Sequence, residues 1–145
     1  MARAAANVSR LELARNVSLL NNQFLHVHDM CAISAEELLF ACGDAGLRAV
    51  SLRTGLWRYE AIKPTAIREV RGVAFDTHTD TLLLVVLTPT DVYQLVSLRR
   101  NASEWLEVQR LSIRTQYAYT PRISVCGSRV LLAVHGELSN TYYVS

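Results

Sequence analysis

Three short apolar segments recur along this chain in the same order and at similar spacing. The central segment, at residues 38–43, returns at 82–87 and at 131–136, which gives spacings of 44 and 49 residues. One marker precedes each copy and another follows it: residues 31–34, 73–76 and 124–127 before it, and residues 48–51, 94–97 and 142–145 after it. Repeats of about 40 to 50 residues are typical of arrays in which each repeat is one supersecondary unit. The chain is therefore predicted to stack similar units side by side.

Each recurring segment predicts a β-strand. The segments are short and rich in aliphatic and β-branched residues, and they are bounded by Gly, Pro, Asp and Asn, which favour tight turns. Such turn residues separate the second and third strands of the units, at residues 43–46, 88–91 and 136–140. Alternation of polar and apolar residues at 56–62 and 105–113 predicts a fourth, half-exposed strand in two units. The chain is thus predicted to be all-β, with four-stranded antiparallel units.

The N-terminal region supplies one further candidate strand. Residues 11–19 resemble residues 106–113, so we interpret residues 11–20 as an outer strand and residues 1–10 as a flexible N-terminus. A single repeat domain then covers residues 11–145. It consists of the outer strand, two complete units and an incomplete third unit, at residues 11–20, 26–62, 68–113 and 121–145.

Residues 39–55, Leu-Phe-Ala-Cys-Gly-Asp-Ala-Gly-Leu-Arg-Ala-Val-Ser-Leu-Arg-Thr-Gly, resemble the second and third strands of a WD-repeat β-propeller blade. Residues 31–34 and 73–76 are similar to the inner strand of such a blade. The resemblance extends over roughly residues 11 to 145 and lies in the pattern. Val-Ser stands where the family has Trp-Asp, and no Gly-His pair precedes an inner strand; the Val-Ser pairs are at residues 50–51, 96–97 and 144–145.

The resemblance implies a partial β-propeller of about three four-stranded antiparallel blades, with the N-terminal strand offset as an outer, closing strand. Closed propellers have about four to eight blades, so three are too few for a ring. Three alternative arrangements are compatible with three blades. In the first the chain is part of a longer propeller, in the second copies of it associate to complete a ring, and in the third its sheets pack in an open arrangement.

No motif in the sequence predicts catalysis, a metal or a cofactor. His26 and His28 alternate along a strand and so point to one face, but a metal site needs further ligands, and no third histidine lies near them. The better interpretation is two polar residues at the start of an inner strand. A Gly-x-Ser-x-Gly elbow, a phosphate-binding glycine loop and a Cys-x-x-Cys pair are all absent from the sequence.

The resemblance also implies where a partner would bind. Loops that follow the second strand and connections between blades gather on one face of a propeller, where family members usually bind partners. The residues expected on that face are Asp44, Lys63, Thr90, Tyr117 and Tyr119. The remaining aromatic residues, including Trp57 and Trp105, are expected to pack between blades.

The predicted function is a non-catalytic scaffold of the WD-repeat type that binds a protein or peptide. One alternative is a portion of a propeller enzyme whose catalytic residues lie in blades outside this chain. Another is a self-assembly module that completes a ring with a second copy by strand addition.

Charge, hydropathy and cysteine content restrict the partners and the cellular compartment that we expect for this chain. The formal net charge is only +2 and the basic runs are short, so nucleic-acid binding is not expected. No run of about 20 apolar residues predicts a membrane span, and the N-terminus does not resemble a secretory signal. The cysteines, Cys31, Cys42 and Cys126, are widely spaced between apolar residues. They are expected to be buried thiols in a reducing compartment, the cytoplasm or the nucleus.

Overall fold

The computed structural model describes residues 26–63, 66–113, 120–127, 129–134 and 140–144. Within these ranges the chain forms strands and turns. The strands are β1 (Asp29–Ala32), β2 (Glu37–Ala41), β3 (Leu47–Ser51), β4 (Trp57–Lys63), β5 (Glu69–Asp76), β6 (Thr81–Leu87), β7 (Tyr93–Asn101), β8 (Glu104–Ser112), β9 (Arg122–Cys126), β10 (Arg129–Val134) and β11 (Asn140–Val144). The predicted outer strand at residues 11–20 lies outside the described residues, as does the predicted flexible N-terminus.

The strands form three antiparallel units, which we call blades 1, 2 and 3. Blade 1 is β1–β4, blade 2 is β5–β8, and blade 3 contributes β9–β11. Within each blade, neighbouring strands follow one another in sequence, because the tight turns between them allow only antiparallel neighbours.

Blades 1 and 2 are joined at both edges, whereas the repeat pattern suggested separate sheets. At the outer edge β4 pairs in parallel with β8, from Ala61 opposite Glu104 to Lys63 opposite Leu106. The result is an eight-stranded sheet in the order β1-β2-β3-β4-β8-β7-β6-β5. At the inner edge the Val73 N–H donates to Asp29 Oδ2 at 3.0 Å. The sheet therefore nearly closes on itself around the space between the two blades.

A glycine makes the inner edge possible. Gly43 and Val70 exchange two backbone hydrogen bonds of 2.9 Å across the blades. Gly43 has a φ of +60°, and a Cβ at this position would lie 2.9 Å from Nε2 of His28. A larger residue would meet both backbone strain and a clash, so glycine suits the position.

Two apolar cores lie between the blades, and β6 contributes to both. Leu82, Leu84 and Val86 pack in the core between blades 1 and 2. Leu83, Val85 and Leu87 pack in the core between blades 2 and 3. A strand with a blade on each side is buried on both faces. This explains why residues 82–87 are continuously apolar instead of alternating.

The third repeat is shifted by one residue relative to the sequence pattern. A spacing of 49 aligns Leu131 with Leu82, which faces blade 1. In blade 3, however, Val130 and Leu132 face blade 2, and Leu131 lies on the opposite side of the sheet. Side chains alternate along a strand, so a slip of one residue exchanges the two faces.

The cysteines do not all lie in the core. Cys42 is buried and Cys31 is partly buried, and burial raises the pKa of the Cys31 thiol to about 12, with a further contribution from the nearby Asp29 carboxylate. Cys126 is exposed, so the prediction of a buried thiol was wrong there. It alternates with Ile123 and Val125, which face blade 2, and therefore points to the other side of β9.

Candidate binding site

The turns of blades 1 and 2 gather at two opposite ends of the sheets. The β1–β2, β3–β4, β5–β6 and β7–β8 turns lie at one end, which we call the hairpin end. The β2–β3 and β6–β7 turns lie at the other end together with the connections between blades, and we call this the connection end. Of the predicted binding residues, Asp44, Lys63 and Thr90 lie at the connection end.

A cavity lies at the hairpin end, between blades 1 and 2. It has a volume of about 750 Å³. Three turns contribute to its wall, through Ser34 of β1–β2, Thr79 and Asp80 of β5–β6, and Ala102 of β7–β8. The remaining lining residues come from strands and from the start of the first turn: Ile33, Glu37, Phe75, Arg99, Arg100 and Trp105.

Aromatic side chains form the apolar part of this cavity. Trp105 is only 2% exposed and belongs to the core between the blades. The ring of Phe75 meets it edge-on, with centroids 6.5 Å apart and an interplanar angle of 76°. The guanidinium of Arg100 lies 4.8 Å from the centroid of the Trp105 ring. The Trp105 side chain is thus fixed by packing on several sides.

The indole nitrogen of Trp105 has no hydrogen-bond partner among the described residues, although it is buried. An unsatisfied buried donor costs about 1 to 3 kcal/mol. Few such groups occur in native proteins, and each calls for a physical reason such as an ordered water or a binding role.

A four-residue ionic network supports one wall of the cavity. Arg58 contacts Glu37 at 2.7 Å and Glu60 at 3.2 Å, and Arg100 contacts the same two carboxylates at 3.1 and 3.0 Å. The Arg100 contacts cross from blade 2 to blade 1. Burial of Glu37 opposes its ionisation, but the hydrogen bonds from Arg58 and Arg100 outweigh burial and lower its pKa. The same bond to Glu37 is the main reason that the pKa of Arg58 is raised.

Two charged residues at the cavity rim are outside this network. In the part of the chain that the structure describes, neither Arg99 nor Asp80 forms an ion pair. Asp80 has a φ of +51°, the left-handed conformation that Asp tolerates better than most residues. The cavity therefore offers one cation and one anion to an occupant.

Comparison of the folds identifies the architecture. The WD40 β-propeller domain of Doa1, known from its crystal structure, is similar to this chain with a TM-score of 0.56 at 13% sequence identity. The chain has the fold of a divergent WD40-like β-propeller. The similarity covers 85% of this chain and 39% of that chain, so this propeller spans well under half of the structure it matches. Its sequence matches no protein-family model and no curated protein.

The prediction of a partial propeller is therefore confirmed, and the predicted binding residues can be located on it. Asp44 and Thr90 are exposed on the β2–β3 and β6–β7 turns at the connection end of the propeller. Lys63 is the last residue of β4, opposite Leu106 of β8. Tyr117 and Tyr119 lie outside the described residues. No hydrogen bond or ion pair between described residues brings Asp44 and Thr90 together.

The connection end of the propeller holds a smaller depression. It has a volume of about 140 Å³ and is lined in part by Asp44, Gly46, Tyr59 and Arg68. Several polar groups at this end are already paired with one another. Arg68 forms an ion pair with Asp91, and Thr120 Oγ1 lies 3.3 Å from both Arg71 Nη1 and the Tyr93 hydroxyl. Among the described residues at this end, Arg68, Asp91, Arg71, Tyr93 and Thr120 are thus engaged with one another.

Sequence reasoning missed the cavity because its residues are far apart in the chain. The sequence predicts that Trp105 packs between blades, which it does. The basic runs, of which Arg99-Arg100 is one, are too short to indicate nucleic-acid binding, and they point to no other site. One available signal was the pair of arginines at the end of a strand otherwise rich in apolar residues. The packing of the blades brings the β1–β2 and β5–β6 turns beside these arginines, and the sequence does not show that packing.

The two histidines that precede β1 lie against each other. The rings of His26 and His28 stack with centroids 5.3 Å apart. Burial lowers the pKa of His28, and the neighbouring Arg71 lowers it further.

Within the described ranges no group of three His, Cys, Asp or Glu side chains is placed to hold a metal ion. Those ranges also contain no helix of the length and apolarity needed to cross a membrane.

Proposed function

We propose that this chain is a non-catalytic scaffold that binds a segment of a protein partner in the cavity at the hairpin end. The observation that carries the proposal is the cavity itself, with its aromatic wall and its charged rim. A volume of about 750 Å³ is within the range of about 300 to 1,000 Å³ usual for binding pockets. The similarity to a WD40 propeller agrees with a scaffold role at the level of fold.

The lining of the cavity indicates the chemistry of the segment. Ile33 and Phe75, which pack against the core that contains Trp105, provide an apolar surface for one aliphatic or aromatic side chain. Arg99 at the rim has no carboxylate partner among the described residues, so an acidic residue beside the apolar one would pair with it. The carboxylate of Asp80 would accept a hydrogen bond from the backbone of the segment.

The cavity favours binding over catalysis. Its lining residues include no histidine and no cysteine. The pKa of Glu37 is lowered by its arginine partners, which is the opposite of what a general acid at neutral pH requires.

The connection end, with Asp44, Lys63, Thr90, Tyr117 and Tyr119, stays a prediction for a second binding surface. For the protein itself we propose a location in the cytoplasm or the nucleus.

The proposal can be tested with peptides selected from a phage-displayed random library. The chain has two tryptophans, so Trp57→Phe leaves Trp105 as the one source of tryptophan fluorescence when the protein is excited at wavelengths that tyrosine does not absorb. Selected peptides should combine an apolar residue with a neighbouring acidic residue, and should change the Trp105 emission on binding. Arg99→Glu in the Trp57→Phe background should weaken binding by about tenfold or more, because a charge-assisted hydrogen bond is replaced by repulsion.

Arg53→Glu is the matched control, since Arg53 is exposed on the β3–β4 turn and does not line the cavity. Equal affinities for Arg99→Glu and Arg53→Glu would contradict the proposed site. A selection that yields no peptide able to change the Trp105 emission would contradict the proposed function.

A further inference from the structure

The β1–β2 turn presents a serine at the edge of the hairpin-end cavity. Ser34, Ala35 and Glu36 are all exposed in this turn, and Ser34 is one of the residues that line the cavity. A backbone hydrogen bond of 3.1 Å from the Ile33 N–H to the Glu37 carbonyl closes the turn. The Ser34 hydroxyl is therefore accessible to another protein while it stays beside the cavity.

Local hydrogen bonds hold the turn but leave the hydroxyl proton of Ser34 free. The Ser34 oxygen accepts a hydrogen bond of 3.2 Å from the Glu36 N–H. The Glu36 carbonyl in turn accepts one of 2.7 Å from the Leu52 N–H. A hydroxyl that accepts a hydrogen bond keeps its own proton available, and no described residue accepts that proton from Ser34.

Acidic residues follow Ser34 in the sequence. Glu36 and Glu37 stand two and three positions after it, and no other serine or threonine of the chain has acidic residues at both of these positions. Kinases choose their substrates in part by complementary charge patterns. A serine followed by carboxylates is thus suited to an acidophilic serine kinase, one whose substrate cleft is basic.

A cation from blade 2 already reaches this side of the cavity. Arg100, on β7, contacts Glu37 at 3.1 Å and Glu60 at 3.0 Å. Ser34 precedes Glu37 by three residues in the closed turn and lines the same cavity as Arg100. A guanidinium binds a phosphate through two parallel hydrogen bonds, and a phosphoserine carries a charge of about −1.5 to −2 at neutral pH. A phosphate on Ser34 therefore competes with Glu37 for Arg100.

We propose that Ser34 is a phosphorylation site, and that its phosphate binds Arg100 and shuts the hairpin-end cavity to acidic segments. This regulation rests on the peptide binding proposed above. The phosphate comes from a nucleoside triphosphate bound to the kinase. The Ser34 oxygen forms a bond to the γ-phosphorus, the bond from that phosphorus to the β–γ bridging oxygen breaks, and the nucleoside diphosphate leaves. The hydroxyl proton goes to the catalytic aspartate of the kinase.

The phosphate changes the cavity in two ways. It adds negative charge to the cavity in which Arg99 is expected to bind an acidic side chain, and like charges at close range repel. It also draws Arg100 away from its position 4.8 Å from the centroid of the Trp105 ring, where the guanidinium packs on the aromatic wall. Both changes lower the affinity for an acidic segment, so the unmodified chain is the form that binds.

The first test is phosphorylation of the folded 145-residue chain by a recombinant acidophilic serine kinase, with the site located by mass spectrometry. Ser34 should be the main site, and Ser34→Ala should lose most of the incorporated phosphate. Glu36→Gln should react several-fold more slowly, because it removes an exposed charge that the kinase recognises. Ser103→Ala, on the exposed β7–β8 turn, is the matched control and should react like wild type.

The second test observes the phosphate itself by ³¹P NMR of the phosphorylated chain. The second pKa of a phosphoserine is ordinarily about 6, and pairing with Arg100 should lower it, because a nearby cation favours the dianion. Arg100→Gln should return the pKa toward its ordinary value. Arg53→Gln, on the exposed β3–β4 turn, should leave it lowered. Circular dichroism establishes that each variant is folded.

The third test is the affinity for the peptides selected against the cavity. The phosphorylated chain should bind them about tenfold or more weakly than the unmodified chain, and phosphatase treatment should restore binding. The proposal is overturned if the kinase does not phosphorylate Ser34, if Arg100→Gln leaves the pKa of the phosphate unchanged, or if both forms of the chain bind equally. Failure to select any peptide would contradict the proposed function alone, because the first two tests use no peptide.

Discussion

At the scale of single residues, the ionic network around Glu37 and Glu60 links the two blades that form the cavity. Glu60 is only 4% exposed, and such a buried carboxylate needs compensating partners. Arg58 and Arg100 supply them, but both arginines are considerably exposed. Solvent screening therefore limits the contribution of each pair to about 1 kcal/mol or less. The network mainly fixes the geometry of Arg100 against the Trp105 ring.

The lowered pKa of Glu37 predicts how stability changes with pH. A carboxyl whose pKa is lower in the folded state contributes stability above its unfolded value and loses it as the pH falls through the folded value. The free energy of unfolding should therefore decline below the ordinary Glu pKa of 4.5. Glu37→Gln should show a smaller decline than wild type. Urea unfolding of both at several pH values measures this, and parallel curves would contradict it.

At the scale of elements, close packing of β5 on β6 and β9 holds blades 2 and 3 together. Gly72 follows an irregularity in the β5–β6 register after Val70. A Cβ on Gly72 would lie 3.0 Å from the Cβ of Val85 and 3.4 Å from Cγ2 of Ile123. The position therefore requires glycine for space, because both neighbours belong to the core between blades 2 and 3.

Gly72→Ala should lower the free energy of unfolding by about 1 to 2 kcal/mol. The cost of overpacking in the folded state exceeds the stability gained by reducing the conformational entropy of the unfolded chain. Val85→Ala creates space at the same point. The double variant Gly72→Ala/Val85→Ala should then be more stable than the sum of the two single changes predicts. Strict additivity in urea unfolding would show that Gly72 and Val85 do not compete for space.

At the scale of the whole molecule, blade 2 lies between two neighbours, whereas blades 1 and 3 each have one described neighbour. The two cores share β6, whose residues Leu82 to Leu87 are all buried. Amides open less often where the local stability is higher, and elements buried on all sides are the last to open. Blade 2 is therefore the stable centre of the described structure.

Hydrogen exchange should be slowest at the β6 amides and faster in β1, which has an exposed face at Met30. Mass spectrometry of exchanged peptides measures the difference. Equal protection of β1 and β6 would contradict the central position of blade 2.

The sequence predicts the elements of this fold better than it predicts how they pack together. Strand-length apolar segments, turn residues and a repeat of about 45 residues predicted stacked all-β units. The resemblance to WD-repeat blades implied a partial propeller, and the fold confirms it. The repeat did not give the register of Leu131, because a slip of one residue changes the face without changing the composition. It also did not reveal the parallel pairing of β4 with β8, which joins strands more than 40 residues apart.

The sequence by itself determined local matters: where strands begin and end, where the chain turns, and that β6 is apolar on both sides. These depend on backbone preferences and on the period of hydrophobicity, which act between near neighbours. Only the tertiary structure decided that Ser34, Asp80, Arg99 and Trp105 line one cavity, and that the rings of Phe40 and Trp57 contact each other. Sites of this kind form where separate blades meet, and the packing of blades is set by contacts between residues that no local pattern connects.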